Sequence, residues 1–236
     1  AALAPVSLVP RRDGSVGHYP HLLERAKPGL IAVNRRGARF TNEANSYHDF
    51  MSDLLKDCGG KLPVEAWLIC DHRFIRHWGL GAAKPAPLPL GPYLRSGYLK
   101  RGRTLAALAP ECGIEASALM ATVARYNAQA KTGVDDDFGK GKTPYNRVQG
   151  DAAHNGANPC MAAIETAPFY AVKVVPGSLG TFAGLVTNEH AQVLDGAGQA
   201  IGGLYACGND MNSIMGGTYP GAGITLGPAL TFGFIA

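Results

Sequence analysis

The sequence is first defined by what it lacks. It has no C-x-x-C pair, no long run of like charge and no apolar stretch approaching the ~20 residues a membrane-spanning helix needs. Its five cysteines (Cys58, Cys70, Cys112, Cys160 and Cys207) are isolated and odd in number. That argues against a disulfide framework and against a zinc site, and it suits a reducing cytoplasm. The start lacks the basic-then-apolar layout of a signal peptide. The expectation is a soluble, cytoplasmic protein with no transmembrane segment. The net charge of +4 is mild, and the basic residues are scattered, with only short pairs such as Arg11-Arg12 and Arg35-Arg36. No basic stripe is interleaved with aromatics, so no nucleic-acid partner is expected. After Lys173 there is no lysine or arginine, and His190 is the one remaining basic side chain. No strand–GxGxxG–helix unit occurs. The triplets Gly139-Lys-Gly141 and Gly221-Ala-Gly223 lack a preceding strand and a correctly spaced third glycine.

Glycine and proline are plentiful instead, at 31 and 16 residues, scattered as turns and concentrated after Gly177. "GLIAVNRRGARFTNE" (29–43) reads as a β-hairpin with arms "LIAVN" and "ARFTN". "YHDFMSDLLKD" (47–57) has helical spacing at Phe50, Met51, Leu54 and Leu55, with Ser46 placed to cap it. "EAWLIC" is a short buried strand, and "AAKPAPLPLGP" a proline-rich connection. The clearest helix runs from about Glu115 to Lys131, with Leu119, Val123, Tyr126 and Ala130 on one face and Gly133 as its stop. Residues 133–166 are polar and irregular and are expected as a long surface loop. "FYAVKVV", "FAGLVTN" and "AQVLD" read as strands, and "DGAG" (195–198) as a hairpin turn. "GLYACGND" is a strand running into a loop, and "GITLGPALTFGFIA" a helix opening with Gly223 and Gly227. A change of texture near 175–180 separates the two regions.

The closing stretch "GGTYPGAGITLGPALTFGFIA" places a lone phenol among glycines ahead of a helix start. A helix N-terminus offers unpaired N–H groups and partial positive charge, and glycines let a ligand approach the backbone. A helix packed closely on a sheet would use the same glycines for clearance alone. "GLYACGND" followed by "MGGTYPGAGITLGPALTFGFIA" resembles the C-terminal signature of the FAD-dependent 3-ketosteroid dehydrogenases, within the fumarate reductase/succinate dehydrogenase flavoprotein family. "GLIAVNRRGARFTNEANSYHDF" resembles the hairpin and N-E pair of that family's substrate-capping domain. The resemblance extends over the whole chain.

It implies an α+β fold, a substrate-capping domain of the fumarate reductase flavoprotein type joined to the C-terminal part of a Rossmann-like FAD-binding domain. The N-terminal GxGxxG half is expected to be missing. The implied boundaries are 1–10 as the end of that missing half, 11–176 as the capping domain and 177–236 as the C-terminal FAD-binding segment. This fragment alone should therefore hold FAD poorly.

The resemblance also implies roles. Tyr219 and the backbone N–H of Gly223 would donate to a ketone oxygen, and Tyr47 would act as base. An unperturbed phenol ionises near pH 10, so Tyr47 needs a nearby positive charge or donor. In the ketosteroid enzymes a second tyrosine from the absent half supports it. Gly208, Asn209 and Asp210 would contact the flavin's ribityl chain, although many members carry Glu where this sequence reads Asn-Asp. Thr225, Leu226 and Gly227 would set N–H groups by the flavin ring. Asn42 and Glu43 are read as structural. His18 and His21 have a spacing open to a metal, but with no carboxylate or thiol pattern around them no metal is expected.

The partner implied is an apolar ketone or steroid-like small molecule, with an external electron acceptor. A wall of Met211, Ile214, Met215 and Tyr219 cannot offset a dicarboxylate's desolvation. The loop departs from the steroid pattern at Gly217 and Ala222, which leaves a different steroid position or a non-steroid cyclic ketone open. Two other readings stand. One is a fumarate-type reductase clamping its substrate with Arg35, Arg36 or Arg39, and the other is a non-catalytic, cap-like binding fragment.

Overall fold

A computed structural model describes all 236 residues. The chain divides into two compact units, a larger one of Pro5–Pro176 and a smaller one of Ala1–Ala4 with Gly177–Ala236. Strand β1 (Ala2–Pro10) runs into the larger unit and pairs antiparallel with β2 (Val16–Pro20). β3 (Leu30–Val33) is followed by helix α1 (Tyr47–Cys58) and β4 (Ala66–Cys70), and β3 and β4 pair with Leu30 opposite Cys70. Then come α2 (His72–Trp78), α3 (Gly91–Arg95), β5 (Leu99–Gly102), α4 (Leu105–Glu111), α5 (Ala116–Thr132) and α6 (Pro144–Gln149). The long strand β6 (Phe169–Gly180) pairs with both β4 and β5, so that Val172 lies opposite Leu68 on one side and Leu99 on the other. The sheet order is β2-β1-β6-β4-β3, with β5 attached to β6.

β3 and β4 are unbroken apolar runs, "LIAV" and "AWLIC", because both faces of the sheet are covered there. Ile31, Val33, Trp67 and Ile69 alternate onto one face and pack with Leu108, Leu119, Val123, Tyr126, Met161 and Ile164. Leu30, Ala32, Leu68 and Cys70, on the other face, are equally buried. The two expected helices form where local chemistry asks for them. Ser46 accepts a hydrogen bond from Asp49 N at 3.1 Å at the head of α1. Glu115 caps α5 through the N–H groups of Ser117 and Ala118, and Gly133, at φ 74°, ends it.

Two expectations need correction here. The turn at 34–37 forms, with Gly37 N donating to Asn34 O, but "ARFTN" is not a strand and β3 pairs with β4 instead. The Asn34 carboxamide takes the N–H groups of Arg36 and Ala38, while Arg39 turns inward to carboxylates. Gly37 is required at φ 75°, where a Cβ would also stand 2.9 Å from Ile114. Residues 133–166 are not a surface loop. They contain α6 and are fastened inward by Lys140 Nζ to Leu30 O (2.7 Å) and Asn146 Nδ2 to Ala44 O (3.0 Å). Cys160, Met161 and Ile164 in the same stretch are fully buried. Polar residues read as loop in a sequence, yet they bury freely where partners are supplied.

In the smaller unit β7 (Gln192–Leu194) and β8 (Ala200–Tyr205) form the expected hairpin, with Asp195 accepting the N–H groups of Ala197 and Gln199 in the turn. "FAGLVTN" does not form a strand and makes only the isolated bridges Leu185–Met211 and Thr187–Val193. The chain ends in α7 (Leu226–Ile235), one turn later than Gly223, with Pro228 in its first turn. A small core joins Val193, Ala206 and Met211 with Phe232. No helix is long and apolar enough to cross a membrane.

Candidate functional site

Tyr47 is the first residue of α1 and is buried. Its position is set by the segment ahead of it. The Glu43 carboxylate accepts from Ala32 N at 3.0 Å and from Arg39 Nε and Nη2 at 2.9 and 2.8 Å. Asn42 turns back on itself to accept Ala44 N and donates to Asn146 Oδ1, both at 2.9 Å. Asn146 in turn donates to Ala44 O and Asn45 Oδ1. With residues 42–46 held on every side, the start of α1 has one position. The structural role expected for Asn42 and Glu43 is what the bonding describes.

Glu43 sits at the centre of an ionic cluster with Arg39, Asp135 and Lys140. Arg39 spans Glu43 and Asp135, and Lys140 Nζ lies 3.4 Å from Glu43 Oε2. Tyr126 and Phe138 rings lie under the Arg39 guanidinium. Burial alone would raise the Glu43 carboxyl, but the charges of Arg39 and Lys140 hold it below the usual carboxylate range. Burial likewise opposes the charge on Asp135, and the Arg39 hydrogen bond and charge outweigh it. Arg39 is therefore committed inside the unit and cannot clamp a substrate dianion. Arg36 and Arg35 also face carboxylates, Asp57 at 2.6 Å and Glu65 at 3.7 Å.

Arg25 was not singled out by sequence. It lies in a short 3-10 turn (Glu24–Ala26), is buried, and donates to the carbonyls of His21, Leu22, Glu43 and Asn45. A cation held by carbonyls leaves no motif, because any residue can present a carbonyl. His21 is bonded by Nδ1 to Glu24 Oε1 and by Nε2 to Ser7 Oγ, each at 2.7 Å, and Ser7 Oγ lies 2.7 Å from the Tyr98 hydroxyl. A carboxylate therefore stands beside His21 after all, as a hydrogen-bond partner.

In the smaller unit Tyr219 is buried, with its ring centroid 6.4 Å from that of Phe182. The loop around it turns through Gly216, Gly217 and Gly223, all at positive φ, with open space where each Cβ would stand. Backbone conformation is thus what demands glycine there. Gly208, Asn209 and Asp210 form a 3-10 turn, with Gly208 at φ 61° close against Ala229 of α7. The structure thereby brings this turn to the first turns of α7. Thr225 heads α7 without a side-chain cap, and the Gly227 N–H is taken by Gly223 O at 2.7 Å. Of the expected wall, Met211 belongs to the small core instead. Met211 and Ile214 line a cavity of about 370 Å³ with Val186, Asn188 and Phe232. The start of α7 is thus uncapped and charge-free, with glycine-rich turns beside it.

Residues 1–226 match the family described as FAD binding domain. The chain is 43% identical over 233 residues to 4-oxocyclohex-2-ene-1-carboxylate 5-dehydrogenase of Sinomonas cyclohexanicum, covering 99% of this chain and 39% of that protein. It is 40% identical over 220 residues to 3-oxosteroid 1-dehydrogenase of Mycobacterium tuberculosis, covering 91% of this chain and 39% of that protein. Among solved structures, 3-ketosteroid delta1-dehydrogenase from Sterolibacterium denitrificans, in complex with 1,4-androstadiene-3,17-dione, superposes with a TM-score of 0.91 at 38% identity. That match covers 100% of this chain and 42% of the other. The chain thus spans about two fifths of the length of these relatives.

Proposed function

This chain belongs to the FAD binding domain family, and we propose that the whole protein is an FAD-dependent dehydrogenase of ring ketones. It removes hydrogen across the CH–CH bond beside the carbonyl. The larger unit serves as substrate cap, and the smaller as part of the flavin-binding domain. Bound FAD supplies the acceptor for the hydride, and Gly208, Asn209, Asp210, Thr225, Leu226 and Gly227 are the residues that would hold it. Tyr219 and the N–H of Gly223 donate to the ketone oxygen, which makes the hydrogens on the adjacent carbon acidic. Tyr47 accepts one of those hydrogens as a proton. The electrons leave to an external acceptor. The free cysteines, three of them buried, suit a reducing compartment, and we place the protein in the cytoplasm.

The observation that carries this reading is the closing loop, which offers a buried phenol at Tyr219 and no cation from residue 174 onward except His190. A neutral ketone suits that wall, whereas a dicarboxylate does not. The commitment of Arg39 to the buried carboxylates Glu43 and Asp135 weighs against its use as a fumarate-type clamp. The family match runs past the cap and through the Tyr219 loop, which weighs against a mere cap-like fragment. Relatives act on a steroid in one case and on a single-ring oxocyclohexene carboxylate in the other, and the ring ketone is what the two share.

The test is anaerobic reduction of the flavin in the whole protein. A 3-ketosteroid or another neutral ring ketone should bleach it, and succinate should not. Bleaching by succinate, or rapid reoxidation by fumarate, would overturn the proposal.

A further inference from the structure

Arg25 carries a full charge out of water with no carboxylate bonded to it. Its four hydrogen bonds go to backbone carbonyls: Nε to His21 O (2.8 Å), Nη1 to Glu43 O (2.7 Å), and Nη2 to Leu22 O and Asn45 O (both 3.3 Å). Two of those carbonyls belong to the segment that leads directly into α1. The guanidinium carbon also lies 4.9 Å over the ring of Phe50, one helical turn beyond Tyr47. The first turn of α1 thus rests on this cation. Burial works against the guanidinium, pushing it down to about 10, while Glu24, Tyr145, Glu43 and Tyr47 favour its charge. A buried cation with no carboxylate bonded to it is costly, and the four carbonyls offset part of that cost here.

We propose that Arg25 is a positioning residue for the base, its carbonyl-held charge stabilising the phenolate of Tyr47, the form in which that residue takes the substrate's proton and becomes a neutral phenol. The inference rests on the reading of Tyr47 as base. It answers the need that a phenol in that role creates, since coupling between two charges is mutual and whatever an ionised Tyr47 does for Arg25, Arg25 does for it. The start of α1, with Tyr47 in its first turn, adds a positive dipole end of the same sign.

Other charged and titratable groups lie around the pair. Glu24 is bonded to His21, and Glu43 is neutralised by Arg39 and Lys140. Tyr145 on α6 shares the field of Arg25. His48 and Asp49 share the first turn of α1, burial holding the His48 imidazole below its usual value. Glu24 and Glu43 thus trim the field of Arg25 without cancelling it by direct contact.

The experiment uses the full-length, flavin-loaded protein, with turnover per bound flavin measured against pH. Arg25→Met should move the limb belonging to the base to higher pH by roughly one unit or more, the order expected for loss of a nearby opposite charge. Arg25→Lys should recover most of that shift. Glu24→Gln, which keeps an acceptor for His21 but removes a negative charge, should move the limb the other way. It also covers the case in which Arg25→Met does not fold. Tyr47→Phe should abolish the limb. If the limb depends on Tyr47 but neither the Arg25 nor the Glu24 variants move it, the role of Arg25 is overturned and Tyr47 as base survives. If Tyr47→Phe keeps the limb, the base reading falls and the role of Arg25 falls with it.

Discussion

The two units of this chain handle apolar and charged residues in opposite ways. The larger unit buries both faces of β3 and β4 and can afford an ionic cluster of Arg39, Glu43, Asp135 and Lys140 inside it. In the smaller unit every residue of β8 is exposed, and α7, without a single charge, leaves Leu226, Leu230 and Phe234 at 68%, 72% and 92% exposure. The first unit is a finished core. The second has the composition of a core and the exposure of a surface. The difference teaches that α7 and β8 have sequences selected for a covered environment.

The largest effect should come from breaking the ionic cluster. Glu43→Gln leaves Arg39 and Lys140 buried with one carboxylate fewer, a loss of about 3–5 kcal/mol. Urea unfolding followed by tryptophan fluorescence reports it cleanly, because Trp67 and Trp78 both lie in the larger unit. A loss below ~1 kcal/mol would mean that the cluster behaves as a surface network. Acid probes the same contrast. Glu43, Asp135 and Glu24 are held below their ordinary values of 4.5, 3.8 and 4.5 in the fold. The unfolded chain therefore binds protons first, and their stabilisation, complete above those values, drains as pH falls through the folded ones. At the alkaline end the sign reverses. Burial raises the Cys70 thiol and pushes Cys112 up to about 12, so stability is lost as pH climbs past the ordinary 9.0. The carboxylates of the smaller unit, Glu189, Asp195 and Asp210, are all exposed. Acid should thus shift tryptophan fluorescence, and a signal that stays flat as pH falls well below 3.8 would contradict the cluster's role.

Next in size is the closing loop. Tyr219→Phe in the whole protein removes one donor from a developing enolate, a loss on the order of 10²–10³ in rate. It should appear in kcat per bound flavin, since the hydrogen bond strengthens as charge builds on the oxygen. Near-normal turnover would remove Tyr219 from the chemistry and leave it a buried partner of Phe182.

What the sequence revealed and what it hid follow from the range of the interactions. α1 and α5 were legible because Ser46, Glu115 and Gly133 act within a turn or two of themselves. The second arm of the expected hairpin was not. Arg39 is drawn inward by Asp135, 96 residues away, and local alternation carries no trace of that. The same distance hid the burial of residues 133–166. For the candidate site, the motifs name Tyr47, Tyr219 and Gly223, whereas Arg25 addresses four carbonyls and Met211 joins the small core, neither of which has a sequence signature.

The smallest effect is also the most discriminating. Leu226, Leu230 and Phe234 recur at intervals of four residues and so form one stripe along α7. Burying such a side chain is worth ~1.5–3 kcal/mol, but only where something covers it. In the isolated chain Phe234→Ser should change unfolding by less than ~0.5 kcal/mol, as for other surface positions. The Leu230→Ser, Phe234→Ser double variant should lower the chain's tendency to self-associate in sedimentation, since exposed apolar patches drive association. In the full-length protein the same substitutions should cost the full burial energy and loosen the start of α7, with flavin content falling alongside. A marked loss of stability in the isolated chain would mean that the stripe is already covered there, and the contrast between the units would disappear. A full-length protein indifferent to both changes would mean instead that α7 faces solvent in the whole enzyme, and its charge-free sequence would need another cause.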